Sequence, residues 1–315
     1  MQLLEVITGS TEAQKKSSNM EKYSIVILAG VVAGFIDRWV MLRNDYRHYP
    51  TYPHGHVIHL TIGFIAAALG AVAIPAIAKP DYVAVTFLVL AAQQFRDIRN
   101  MERETLNKLE ESKLIPRGPD YIEGIARVFE ARNYLCIMTA LVTSATAYLT
   151  SYQWAILVGS ICILFSLKFM RGIFVGDIAN VYKGVVHFEH SLLMVDDVVI
   201  MNIGLNSTKE KILREGMGVI IHPIDDNARL TLHAPGQRMA IIYDIVSILG
   251  TKVDTNEPDL MPLARKQVDK GYIALFMISN EPDIECLIEI VKGVPVLETA
   301  QGTTLKSYAG RKAAD

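Results

Sequence analysis

Three groups of residues in this chain have the types and spacing that chemistry requires. The first is His222-Pro223-Ile224-Asp225-Asp226-Asn227-Ala228-Arg229, with Gln237 and Arg238 following just after Pro235. Neighbouring carboxylates suit a hard cation or a division of general acid and base roles. A helix beginning near Pro235 would present Gln237 and Arg238 at an N-terminus, where anions are favoured. Asp225, Asp226, Asn227, Arg229, Gln237 and Arg238 are therefore the binding candidates, and Asp225 and Asp226 are also catalytic candidates. The plainer reading is a solvated Asp-Asp-Asn turn leading into a capped helix.

The second group is Asp37 and Arg38, at the end of an apolar stretch. Charges within a bilayer serve a pathway or a partner. Paired with Asp45 or Asp97, Asp37 would make an aspartic dyad in which two carboxylates share a proton and activate water. No GxGD sequence accompanies them, and an interfacial ion pair with a snorkelling arginine is the simpler alternative. The third group is His48, His54, His56 and His59, interleaved with Tyr49, Pro50, Tyr52 and Pro53. His54, His56 and His59 are candidate transition-metal ligands, against an ordinary interfacial turn. The three cysteines, Cys136, Cys162 and Cys286, lack CxxC spacing. No phosphate loop, nucleophile elbow, HExxH or dinucleotide fingerprint is present, and the cofactor stays unassigned.

The elements that must position these residues divide the chain in two. It is 51% hydrophobic yet 20% charged, and its net charge of -2 carries no basic excess for nucleic acid. Five apolar stretches crowd residues 23–170: from Tyr23, Val57–Ala78, Tyr82–Phe95, Tyr134–Leu149 and Gln153–Phe169. They predict about five transmembrane helices in an all-α membrane domain, with the third stretch short of the ~20 residues a span needs. Lys and Arg cluster between stretches three and four and after stretch five, which puts those segments and the C-terminus in the cytoplasm. Gly30/Gly34 and Ala66/Gly70 repeat at helical spacing, which favours close helix packing within the chain over a dimer face. Residues 96–133 read as a cytoplasmic helical hairpin: the helix from stretch three continues past Phe95, breaks at Ile115–Pro119, and restarts at Tyr121.

The remaining residues alternate short apolar segments with polar turns. Ser191–Gly204 reads as strand with a hairpin about Asp196-Asp197, and Thr208–Glu215 as helix. Val219–Ile224 and Arg229–His233 read as strands, and Pro235–Leu249 as a helix stopped by Gly250. Tyr272–Ser279 reads as strand, Pro282–Lys292 as helix and Val294–Glu298 as strand. The sum is a small cytoplasmic α+β domain, ferredoxin-like or ACT-like. The expected division is a polar tail over 1–22, a transmembrane domain over 23–170, the α+β domain over 171–302, and a flexible tail over 303–315.

Tyr121-Ile122-Glu123-Gly124-Ile125-Ala126 spells YIEGIA, within IPRGPDYIEGIARVFEARNY and alongside YPTYPHGHVIHLTIGFIAAALGAVAIPA. The chain resembles the YIEGIA family, poorly characterised membrane proteins of spore-forming Firmicutes. That resemblance implies a bacterial cell membrane and a link to sporulation; it transfers no site residue. The expected function is a multi-pass membrane protein with a regulatory or scaffolding role, acting through its cytoplasmic domain. A membrane-bound protease working at the cytoplasmic face on a sporulation protein competes with it, and a transporter or channel component comes third. The expected partners are the lipid bilayer, a protein at the cytoplasmic face and, as a further class, a second copy of the chain.

Overall fold

A computed structural model describes residues 2–42, 53–78, 82–110, 113, 115–170, 172–254, 257–301, 307–309 and 312. Asp45, His48 and the side chain of His54 lie outside the described set, as does most of the segment from 303. The chain divides into two compact units. One comprises residues 1–102 and 126–171, the other 103–125 and 172–315.

The first unit is helical: α1 (Gln2–Leu42), α2 (Pro53–Ala78), α3 (Tyr82–Phe95), the start of α4 (Ile98–Glu110), the larger part of α5 (Pro119–Leu149) and α6 (Tyr152–Phe169). Among the described residues, three stretches are long and apolar enough to cross a membrane: Glu21–Leu42, Gly55–Ala78 and Tyr152–Phe169. The count is three rather than the expected five. The α3 helix, at 14 residues, is too short, and α5, at 31 residues, is long enough but too polar. Small residues let the backbones close up. A Cβ on Gly70 would lie 2.3 Å from the Ile137 carbonyl oxygen of α5, and one on Gly34 would lie 2.9 Å from both Ala140 and Ala67. The GxxxG face of α1 is thus spent inside the chain. Ala66, Ala67, Ala71, Cys136 and Ala140 form a core there with Phe95, Ile98 and Phe129.

The α3 helix does not run on as expected. A turn at Arg96 and Asp97 separates it from α4. The buried line of α4 is Ile98, Glu102 and Leu106, while Met101 is exposed. The inward face of the helix therefore carries a carboxylate.

The second unit is α+β. Its elements are α7 (Val175–Ile178), β1 (Ala179–Gly184), β2 (Val186–Glu189), β3 (Leu192–Val195), β4 (Val198–Asn202), α8 (Asn206–Glu215), β5 (Gly216–Pro223), α9 (Asp226–His233), α10 (Pro235–Leu249), β6 (Val253–Asp254), β7 (Glu257–Pro258), β8 (Leu263–Lys266), β9 (Ile273–Ile278) and α11 (Ile284–Lys292). Four strands form an antiparallel sheet in the order β1-β5-β9-β8, and β2-β3-β4 form a second. The turn between β3 and β4 falls at Asp196-Asp197 as expected. Asp196 adopts φ 50, and its Oδ1 accepts the Val185 amide at 2.7 Å.

Strand β9, Ile-Ala-Leu-Phe-Met-Ile, is buried at every position. Side chains alternate across a strand: Ala274, Phe276 and Ile278 join Leu193, Val195, Val198, Ile200, Ile212 and Ile220 in a core between the two sheets. Ile273, Leu275 and Met277 fill the other face, where α9 and α11 pack on β5. Every pairing in the larger sheet is antiparallel, whereas a ferredoxin-like βαββαβ unit has parallel central strands. The ferredoxin-like expectation is therefore corrected to a two-sheet sandwich with a helical layer.

Two strand assignments also fail. Arg229–His233 is the body of α9, because the Asp225 carboxylate caps that helix by accepting the Ala228 amide at 2.7 Å. Val294–Glu298 makes one bridge, Phe174 to Pro295, and then a 3-10 turn over Glu298–Ala300. Val294 and Val296 bond the backbone of Val175 and Ile173, and a side chain takes the next groups: Gln237 Nε2 donates to the Pro295 carbonyl at 3.0 Å, and the Leu297 amide donates to Gln237 Oε1 at 2.8 Å.

Candidate functional site

The polar residues of the helical unit converge in its interior. Asp37 and Arg38 are both fully buried. Asp37 faces α5 and α6: Thr139 Oγ1 donates to its Oδ2 at 2.7 Å and Ser166 Oγ at 3.1 Å. Arg38 turns elsewhere. Its guanidinium lies 5.5 Å from the centre of the Phe129 ring, within electrostatic reach of Glu102, Asp37 and Arg132. His59 stacks obliquely on the same ring, centroids 4.5 Å apart, and its Nε2 is 3.8 Å from Glu102 Oε1. Cys136 Sγ donates to the carbonyls of Gly34 and Gly63.

Buried ionised groups are tolerated only when paired. Here Asp37 and Glu102 balance Arg38 and Arg132, all four buried. Such a network inside an apolar bundle makes this the candidate site of the helical unit. Of the expected dyad partners, Asp97 is exposed, in the turn before α4, and Asp45 is outside the described residues. The groups hydrogen-bonded to Asp37 are hydroxyls. His56 is half-buried, His59 faces Glu102, and no group of three His, Cys, Asp or Glu among the described residues is arranged for a metal.

The second unit distributes its sequence candidates among structural tasks. Asp225 is the α9 cap, and Asp226 pairs with Arg229 at 3.2 Å on the surface. The Asn227 carbonyl accepts the Thr231 hydroxyl at 2.9 Å. Gln237 is the buried clamp described above, and Arg238 donates to the Ala264 carbonyl at 3.1 Å. Burial, then the nearby Arg265, lower the pKa of Arg238. An open cavity of about 470 Å³ is lined by Lys211, Lys252, Val253, Asp259 and Asn280, none of them a sequence candidate. Its lysines are already paired, Lys211 with Asp259 and Lys252 with Glu215.

A third feature belongs to the YIEGIA segment. Residues 103–125 are part of the second unit. Tyr121, buried at the start of α5, donates its hydroxyl to Asp244 Oδ1 of α10 at 3.0 Å. Burial and then the Asp244 charge push the Tyr121 pKa well up, so the phenol keeps its proton. Arg117 lies 4.8 Å over the Tyr243 ring and pairs with Glu110 at 3.4 Å. Gly236 of α10 is packed against Asp120, with no room for a side chain.

Sequence reasoning missed Glu102, Thr139, Ser166 and the Tyr121–Asp244 bond. A signal existed for Glu102, which stands four residues after Ile98 and four before Leu106, on the apolar line of α4. The hydroxyls carried none, being ordinary polar residues of a helix until three helices meet.

The family model described as "YIEGIA protein" matches residues 26–307. The chain is 43% identical over 281 residues to "Uncharacterized protein YphB" of Bacillus subtilis (strain 168), which covers 89% of this chain and 95% of that relative. No solved structure matches.

Proposed function

The chain belongs to the YIEGIA family, and we propose that it is an integral membrane protein with a regulatory or scaffolding role in sporulation, exercised through its C-terminal α+β unit in the cytoplasm. The observation that carries this reading is the docking of residues 103–125 onto that unit through Tyr121 and Asp244. A domain bonded to the first turn of a bundle helix is suited to passing a conformational change along that helix. The sporulation link rests on the family resemblance.

The same docking supports a multi-pass topology. Residues 103–125 and 172–315 form one unit, so they share one side of any membrane the chain crosses. An even number of crossings must then fall between 125 and 172. If α6 is one, the rest of α5 is the other. The polarity of α5 is no obstacle, because Arg132, Asn133, Thr139, Thr143 and Ser144 are all buried within the bundle and kept from lipid. With α1 and α2 this makes four spans, and five if the short α3 crosses. The excess of Lys and Arg over residues 96–132 favours the cytoplasm for that side.

The test is a pair of variants, Tyr121→Phe and Asp244→Asn, in a spore-forming host lacking its own family member. A coupling role predicts loss of heat-resistant spores at normal protein level in the membrane fraction. Wild-type spore counts from both variants would reject it. A second reading, a membrane-bound protease, is favoured by one observation: Asp37 is a carboxylate sunk in the bundle whose Oδ1 has no hydrogen-bond partner among the described residues. It predicts that Asp37→Asn stops the processing of a cytoplasmic-face protein while partner binding persists.

A further inference from the structure

The surroundings of Asp37 are those of an ion site more than of a hydrolytic pair. The layer Asp37, Thr139 and Ser166 joins α1, α5 and α6. One turn away, Thr143 follows Thr139 on α5 and Ala33 precedes Asp37 on α1, each four residues apart and so on the same helix face. Gly159 of α6 completes that second layer: a Cβ built on it would lie 3.0 Å from Thr143 Oγ1 and 3.4 Å from Ala33 Cβ. The missing side chain lets the α6 backbone come close to that hydroxyl. Thr143 is 2% exposed, and its Oγ1, like Asp37 Oδ1, is buried without a hydrogen-bond partner among the described residues. Two oxygens thus stand unsatisfied in neighbouring layers of a seam already holding two further hydroxyls. A buried polar atom without a partner costs about 1–3 kcal/mol, so its retention calls for a ligand that supplies the missing bond.

We propose that the seam between α1, α5 and α6 is a binding site for a monovalent alkali cation, held by the Asp37 carboxylate and the hydroxyls of Thr139, Thr143 and Ser166. The ligand chemistry selects that class. All donors are oxygens, which suit hard cations and not the softer transition metals. One carboxylate among neutral hydroxyls, its charge already partly offset by Arg38, suits at most a singly charged ion, while calcium sites draw on several carboxylates and carbonyls and magnesium keeps much of its water. Arg38 gives Asp37 Oδ1 no hydrogen bond: its guanidinium lies over Phe129, within electrostatic reach of both Glu102 and Asp37. On binding, each hydroxyl turns a lone pair to the ion, and its proton can bond the carbonyl four residues back in its own helix. The site requires only the bundle, and holds whether or not the C-terminal unit regulates anything.

A hydrophobic carbodiimide tests this, because it modifies protonated carboxyls in apolar surroundings. The full-length protein, purified in detergent, is labelled at fixed pH and ionic strength in sodium, potassium or choline chloride, and modification of Asp37 is read by mass spectrometry. The expected result is saturable protection of Asp37, at least tenfold, by sodium or potassium relative to choline. Thr143→Val should raise the half-protecting concentration at least tenfold. That variant is nearly isosteric and removes a hydroxyl with no hydrogen bond to lose, so folding does not confound it. Equal labelling in all three salts, or unaltered protection in Thr143→Val, would each overturn the proposal.

Discussion

Replacing Gln237 with leucine separates a structural clamp from a binding residue. The side chain is fully buried and spends both ends of its amide on residues 295–297, through bonds of 3.0 and 2.8 Å. Leucine keeps the approximate volume and removes both. The Leu297 amide is then stranded in a buried segment, at a cost of about 1–3 kcal/mol. The Pro295 carbonyl, on a half-buried residue, can be hydrated in part, so its loss is nearer the net value of one hydrogen bond, about 1 kcal/mol. Together the variant should destabilise the C-terminal unit by about 2–4 kcal/mol. Both tryptophans, Trp39 and Trp154, belong to the helical unit, so their fluorescence cannot follow this opening. Amide hydrogen exchange of β9 can, in the full-length protein, because its central strand exchanges through large openings of the unit. At 1.4 kcal/mol per tenfold, protection there should fall by roughly 30- to 700-fold. Asp226→Ala, which breaks only an exposed ion pair, should change it by less than about threefold. Protection of β9 within threefold of wild type in Gln237→Leu would refute the clamp.

Other substitutions probe the remaining local arguments. Asp225→Ala should cost about 1 kcal/mol through loss of the α9 cap, read as weaker exchange protection at the amide of Ala228 and its neighbours. Gly70→Ala forces a Cβ against the Ile137 carbonyl, which cannot move aside, and should destabilise the bundle by about 1–3 kcal/mol. Melting of detergent-solubilised protein followed by tryptophan emission reads that loss; Gly124→Ala, whose nearest atom is Leu297 Cδ2 at 3.6 Å, should be tolerated, with exchange protection of β9 unchanged. Burial lowers the pKa of His233 from its usual 6.5, opposed by its 2.9 Å bond to the Gly271 carbonyl, which requires Nε2 to carry the proton. The unfolded chain therefore takes up that proton first, and stability held above pH 6.5 declines as pH falls below it. His233→Gln should flatten that part of the pH dependence.

What the sequence discloses follows from where each signal resides. Strand β9 and helix α10 are legible because a six-residue apolar run, and a Pro235 start with a Gly250 stop, are local. Strand β1 is not, since its inward positions are Ala179, Val181 and Gly184, a weak apolar pattern. Helix α9 is hidden because it is only eight residues long and its start is set by one side-chain bond, the Asp225 cap. Asp37 and Arg38 stand out as charges in an apolar stretch, but Thr139 and Ser166 reach Asp37 across 102 and 129 residues of chain. Only the assembled bundle brings such partners together.

The Tyr121–Asp244 bond also imposes an order of events on synthesis. Its partners are 123 residues apart, so at about 5–20 residues per second the first waits roughly 6–25 s for the second. Throughout that interval Tyr121 has neither Asp244 to bond nor Tyr243 to pack on, while the rest of α5 and α6 emerge behind it. The bundle helices are therefore placed first, and docking comes last, as the closing step of biogenesis. A ribosome-associated factor able to shield Tyr121 would find its binding window set by the length of chain between the two residues.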